Sequence, residues 1–302
     1  MPSADFDALR DHYQSMSDRM AANPEMDLVA LRSMLEELAT RAKEPEGVSY
    51  AESDVDGMRA LWGVPDNAAY DRVILYFHGG GFVSNSIDSH RKMAAHLAKA
   101  TGARVLLPEY RLAPEHPFPS QLDDAVRAYH WMLGQGIGAD RIATAGDSAG
   151  GNLAVSTVLK LRETGQPLPA AIVGFSPWLD MEHLGKTLET NAETDALVSR
   201  EVVAMMSAMF LGESPPTDPL ANPLHADLAG LPPLLLIAGG SETLLNDSER
   251  LADRAVAAGV EVELSTYSGQ QHVFTFMAGR APEADTAIAE AGAWLRSRLG
   301  LS

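Results

Sequence analysis

One serine stands where a nucleophile could be built. Gly146-Asp147-Ser148-Ala149-Gly150 follows the run Arg141-Ile142-Ala143-Thr144-Ala145 and opens helical sequence, so Ser148 is predicted on a tight strand-to-helix turn. Flanking glycines let the main chain crowd into such a turn and lift the hydroxyl clear of the sheet edge. A serine hydroxyl is a weak nucleophile at its own pKa and needs a base. His272 is the only histidine after the run Val260–Tyr267, and it follows the polar turn Ser268-Gly269-Gln270-Gln271. That places it in a loop leaving the carboxyl end of a strand, where open α/β sheets build their sites. The base needs a carboxylate to orient it. Gly239-Gly240-Ser241-Glu242 follows the apolar run Leu234–Ala238 and offers Glu242. Asp247, five positions on, is the alternative, but its place near the next helix start suits it to capping. Glu242 is preferred.

Attack on a carbonyl leaves negative charge on its oxygen, which needs donors. His78-Gly79-Gly80-Gly81-Phe82 follows the apolar run Val73-Ile74-Leu75-Tyr76-Phe77. Three consecutive glycines carry a backbone entropy penalty that close approach of the main chain to something explains. The N–H groups of Gly80 and Gly81 are expected to converge with that of Ala149 on one oxygen. His78 is read as a structural hydrogen-bonding residue, not a second base. No Gly-Lys-Ser/Thr follows the glycines and no dinucleotide fingerprint is present, which weighs against a phosphate cradle. The chain has no cysteine, excluding disulfides, a thiolate nucleophile and cysteine-bound metal or iron–sulfur centres. Neither a cofactor nor a metal is expected.

These groups can meet only if the elements between them assemble one sheet. The 302 residues, 46% of them hydrophobic, suffice for one large α/β domain carrying a smaller satellite. Strand-like runs occupy Val48–Asp54, Gly57–Trp62, Val73–Phe77, Arg104–Leu107, Arg141–Ala145, Ala170–Phe175, Leu234–Ala238 and Val260–Tyr267. Helical patterns over Ser89–Ala100, Leu122–Leu133, Asn152–Arg162, Ser248–Ala258 and Glu283–Leu299 alternate with them. Such alternation implies right-handed crossovers and a mostly parallel central sheet flanked by helices. Two stretches stand outside it. Phe6, Leu9, Tyr13, Met16 and Met20, then Leu28, Leu31, Leu35 and Leu38 after Asn23-Pro24, mark two amphipathic helices. Between Pro177 and Pro232 the alternation stops, leaving one helix with Val202, Val203, Met206, Met209 and Phe210 on its apolar side. The expected division is a helical cap segment (1–45), a first core part (46–179), a cap insertion (180–230) and a second core part (231–302).

Taken together, these stretches resemble the hormone-sensitive-lipase-like esterases, bacterial family IV of the α/β-hydrolase superfamily. The likeness rests on His78-Gly79-Gly80-Gly81 and Gly146-Asp147-Ser148-Ala149-Gly150. Tyr110-Arg111-Leu112-Ala113-Pro114-Glu115-His116-Pro117-Phe118-Pro119, Asp123-Asp124 and Ser176-Pro177-Trp178-Leu179-Asp180 extend it over about residues 48 to 299. The resemblance implies an α/β-hydrolase fold and cofactor-free hydrolysis of carboxylic esters, usually of short to medium acyl chains. It also implies oxyanion donors at Gly80, Gly81 and Ala149, a cap joining the N-terminal helices to the insertion, and a homodimer through the edge strand Val260–Tyr267. The sequence departs from the family at Glu242, where aspartate is usual, although Leu244 two places on is shared. Gly269-Gln270-Gln271 before the histidine, in place of a bulky neighbour, is a second departure.

Acidic residues outnumber basic ones by 41 to 23, a formal charge of −18. That field repels phosphate backbones and anionic lipid, so neither nucleic acid nor membrane is an expected partner. The substrate is expected to be a small to medium, neutral, fairly apolar ester, with a lactone of cyclic terpenoid type as the alternative. An amide substrate or a non-catalytic receptor ranks lower. Phe82, Trp178 and Met209 are the expected substrate contacts, within a methionine-rich cap (Met16, Met20, Met26, Met34, Met181, Met205, Met206, Met209) whose thioethers suit an adaptable pocket. No secretory signal or membrane span is read at the N-terminus, and cytoplasmic residence is the expectation.

Overall fold

The computed structural model describes residues 4–301, with side chains from residue 7 onward; the side chain of Phe6 lies outside the described residues. Among these, the strands β1 (Val48–Val55), β2 (Met58–Pro65), β3 (Ala69–Phe77), β4 (Ala103–Pro108), β5 (Ile142–Asp147), β6 (Ala171–Phe175), β7 (Leu234–Gly239) and β8 (Val262–Tyr267) form one sheet in the order β1-β2-β4-β3-β5-β6-β7-β8. The β1–β2 and β2–β4 pairs are antiparallel and the remaining five are parallel. β4, β5, β6 and β7 are almost wholly buried, which is why they read as unbroken apolar runs. β3 begins four residues earlier than its apolar run, and its pairing with β4 shifts register between Ala69 and Val73.

The helices are α1 (Ala4–Ala22), α2 (Leu28–Leu35), α3 (Ile87–Thr101), α4 (Ser120–Gly134), α5 (Ala149–Glu163), α6 (Thr187–Thr190), α7 (Arg200–Leu211), α8 (Leu245–Ala257) and α9 (Pro282–Arg298). α3 packs on α9 and α4 on α5, covering the sheet. Leu38 belongs to a 3₁₀ turn, Glu36–Thr40, that tightens the end of α2 instead of prolonging it. Among the described residues no helix is long and apolar enough to cross a membrane.

The parallel order matters because β3, β5, β6, β7 and β8 end on the same side. The loops after them carry His78 to Gly81, Ser148, Ser176, Glu242 and His272. Residues 180–230, with α6 and α7, lie outside the sheet order. α1 packs against the 3₁₀ turn Phe274–Met277 that follows His272. α2 is tied near the glycine loop by Arg32, which donates to the carbonyls of Val83 (2.7 Å) and Ala113 (3.0 Å) and pairs with Glu115.

Candidate active site

Ser148 lies between β5 and α5 with φ +51° and ψ −120°, a strained backbone position for any residue with a side chain. The strain holds because the surrounding main chain leaves no alternative. Ser148 N–H donates to the Phe175 carbonyl (2.9 Å), and Ser148 C=O accepts Trp178 N–H (3.0 Å). Gly150 permits the turn: a Cβ there would lie 2.0 Å from the Phe77 carbonyl oxygen. Nε2 of His272 stands 2.9 Å from Ser148 Oγ. On the other side of the ring, Nδ1 lies 3.6 Å from Glu242 Oε2, an ion-pair separation slightly longer than a hydrogen bond.

Glu242 is fully buried; Oε2 accepts Ser176 Oγ–H (2.6 Å) and Gly239 N–H (3.2 Å). Burial pushes its carboxyl above the usual range, against the pull of His272 and Ser176. For His272 burial favours the neutral ring, but the Glu242 carboxylate outweighs it and raises the imidazole above its ordinary value. Asp247 is elsewhere: Oδ2 accepts the N–H groups of Leu179 (2.7 Å) and Asp180 (2.9 Å), pinning the loop that bears Trp178. It lies in the first turn of α8 but holds this neighbouring loop. Burial drives its carboxyl up to about 7, with the Asp180 charge adding to the effect.

Ser176 is a residue that sequence reasoning left without a role. Its hydroxyl donates to Glu242 and accepts Val273 N–H (3.1 Å), so it joins the acid to the histidine loop. Its position at the carboxyl end of β6, between the strands bearing Ser148 and Glu242, was the available signal.

Among the described residues, the N–H groups of Gly80, Gly81 and Ala149 have no protein acceptor, and Ala149 begins the 15-residue helix α5. All three are free to face a developing oxyanion, aided by the positive end of α5. The glycine loop is braced from below. Asp147 accepts Tyr76 O–H (2.8 Å), Gly79 N–H (3.2 Å) and His90 Nε2–H (3.2 Å). Burial alone would raise the Asp147 carboxyl, but His90 and Tyr76 hold it below its ordinary value. His78 stacks on Tyr110 at 4.2 Å, and Tyr110 O–H donates to the His78 carbonyl (2.6 Å). Burial brings the His78 imidazole down to about 3, so it stays neutral and is no base at working pH.

Ser148, His272, Gly80, Gly81 and Trp178 line a cavity of about 70 Å³. Its remaining walls are mostly apolar, with Tyr13 and Met20 from α1 and Val202, Val203 and Met206 from α7. Gly81 is needed here because φ is +64° and a Cβ would fall 2.1 Å from Met206 Sδ. Two expected contacts differ. Phe82, with φ +62°, turns from the cavity to stack on Phe210 at 3.9 Å. Met209 is not among the lining residues; Met206, on the preceding turn of α7, covers the cavity. Among the described residues no group of three or more His, Asp or Glu side chains converges as a metal site would require.

Residues 74–276 match a family model described as the alpha/beta hydrolase fold. An acetyl-hydrolase of Streptomyces hygroscopicus is 41% identical over 229 residues, covering 76% of this chain and 77% of its own. An esterase of Acinetobacter venetianus is 34% identical over 262 residues, covering 86% of each. A crystal structure of an esterase from the bacterial hormone-sensitive lipase family superposes with a TM-score of 0.95 at 42% identity, covering 99% of this chain and 100% of that one.

Proposed function

Since the chain belongs to the α/β-hydrolase-fold family, among the hormone-sensitive-lipase-like serine carboxylesterases, we propose that it hydrolyses small neutral esters through an acyl-serine at Ser148. The observation that carries this reading is the 2.9 Å contact of Ser148 Oγ with His272 Nε2 on the floor of the cavity. His272 takes the hydroxyl proton as Ser148 attacks the ester carbonyl. Gly80, Gly81 and Ala149 N–H groups hold the oxyanion, and Glu242 fixes the tautomer and offsets the imidazolium charge. His272 returns the proton to the departing alcohol. Water activated by the same ring then releases the acid.

The cavity supports a short acyl group. Its walls close in beside Ser148, with Met206 Sδ standing where a side chain on Gly81 would go, which leaves limited room next to the nucleophile. Among the described residues no Lys or Arg lines it and Asp147 does, which suits a neutral substrate over an anionic one. The acetyl-hydrolase relative agrees with this size.

The test compares p-nitrophenyl esters from acetate upward, a matched amide, and covalent labelling by an organophosphonate. The expected result is highest kcat/KM on the shortest esters, a much lower value on the amide, and labelling that Ser148→Ala abolishes. Equal kcat/KM on ester and amide, or labelling that survives Ser148→Ala, would overturn the reading.

A further inference from the structure

The loop that carries His272 does not hold its shape unaided. Val273, the next residue, sits at φ +47° and ψ +45°. A β-branched residue in this left-handed region is strained. Contacts from outside the loop keep it there. Two come from the core, Val273 N–H to Ser176 Oγ and Ser241 N–H to the Gln270 carbonyl (3.0 Å). The others come from the two chain segments that stand outside the sheet.

Tyr13 of α1, wholly buried, donates its hydroxyl to the backbone carbonyl of His272 (2.9 Å). Gln271, also buried, accepts Ala196 N–H on Oε1 (2.8 Å) and donates Nε2–H to the Thr194 carbonyl (2.8 Å). Its side-chain amide therefore pairs with residues 194–196 as a neighbouring strand's peptide would. Ser17 of α1 closes the circuit by donating to the Ala196 carbonyl (2.6 Å). Asp195, between the two, accepts Thr243 N–H (2.8 Å) beside Glu242.

We propose that Tyr13 and Gln271 are positioning residues that latch α1 and the 180–230 insertion to the histidine loop, so that the imidazole is aligned with Ser148 only while both segments are seated. Those segments are then part of the catalytic positioning as well as walls around substrate. When they lift to exchange substrate and product, the loop loses both hydrogen-bonded supports and the strained backbone at Val273 relaxes, taking the ring with it. A displacement of about 1 Å at a reacting group can lower a rate about a hundredfold. The proposal rests on His272 being the base.

The test uses Tyr13→Phe, which keeps the ring and removes the hydroxyl, and Gln271→Met, which keeps side-chain length and removes both amide bonds. For each, and for the double variant, kcat and KM on p-nitrophenyl acetate and the phosphonylation rate of Ser148 are measured well below the melting temperature. The expected result is a loss in kcat of about tenfold with KM within about twofold, and phosphonylation slowed by the same factor. The double variant should lose less than the product of the single losses, because both act on one loop. An unchanged kcat in Tyr13→Phe overturns the proposal, whether KM rises, which makes α1 only a wall, or melting alone shifts, which makes the bond only structural. If Gln271→Met fails to fold, Tyr13→Phe decides by itself. His272→Ala separates the two levels. An active His272→Ala defeats the base assignment, whereas an inactive one beside an unimpaired Tyr13→Phe defeats only the latch.

Discussion

Replacing Glu242 by glutamine separates the charge of the acid from its shape. Oε2 accepts Ser176 and Gly239, so an amide oxygen is drawn to the same place and the amide NH₂ takes the position of Oε1. Oε1 has no partner among the described residues, so the exchange breaks no hydrogen bond there. What disappears is a unit charge 3.6 Å from His272 Nδ1. Coulomb's law at that distance, with an effective dielectric of about 20, gives about 5 kcal/mol between carboxylate and imidazolium. The imidazolium forms as Ser148 attacks, so this sets an upper limit of between three and four orders of magnitude on the loss in kcat. The carboxylate already interacts with the dipole of the neutral ring before attack, and the expected loss for Glu242→Gln is about 10²- to 10³-fold. Glu242→Ala, which also removes the orienting oxygen, should lose at least about 10²-fold. The pH profile gives an independent sign. His272 must be neutral to accept a proton, and Glu242 is what raises its pKa against burial. Without that charge burial dominates, and the acid limb of kcat/KM moves to lower pH. The assay is steady-state ester hydrolysis between about pH 5 and 9, where the limbs of such profiles fall. A kcat within about threefold of the parent, with an unmoved acid limb, would refute the reasoning. So would a larger loss in Asp247→Asn.

Asp247→Asn should keep kcat and become more stable than the parent as pH rises. The folded carboxyl titrates at about 7 against 3.8 for a free one, so the folded state holds the proton more tightly. The stability this confers is complete below the unfolded value and is lost as pH rises through 7, by about 4 kcal/mol in all. Asparagine can still accept the Leu179 and Asp180 N–H groups without charge, so the difference in melting temperature should grow from about pH 5 to 8; a constant difference would contradict it. Met206→Ala should clear the space over Gly81 and shift preference toward longer acyl chains. The ratio of kcat/KM for hexanoate over acetate should rise by about tenfold, as expected for methylenes gaining an apolar pocket. An unchanged chain-length profile would remove Met206 from the cavity's definition.

Most of the framework could be read from local chemistry. The buried strands announced themselves as apolar runs, and the nucleophile and the acid follow two of them, β5 and β7, whereas the base follows β8, a partly exposed edge strand. That adjacency is a property of parallel strands, so order along the chain converts into proximity at one edge. What escaped reading depends on contacts across long separations. Ser176 shows no pattern of its own; its importance comes from touching Glu242 and Val273, which lie 66 and 97 residues away. Phe82 and Met209, expected as substrate contacts, lie outside the cavity lining for a related reason. Phe82 has a positive φ that points its ring into an aromatic stack. The phase of α7 over the cavity is set by where the helix docks, which its periodicity does not contain. Gln270 and Gln271, read only as part of a polar turn, are buried, and the insertion supplies Gln271 with its partners.

The bond from Tyr13 to His272 spans 259 residues of sequence. During synthesis α1 is made before the sheet, with Leu9, Tyr13 and Met16 facing a surface that does not yet exist. That surface includes the 3₁₀ turn Phe274–Met277, made after all eight strands of the described sheet. α1 therefore cannot complete its docking until that turn is made, and until then its apolar stripe is open to other chains. Completion of the reactive centre coincides with the closing of this long-range contact, so an unfinished polypeptide carries the serine without a working site.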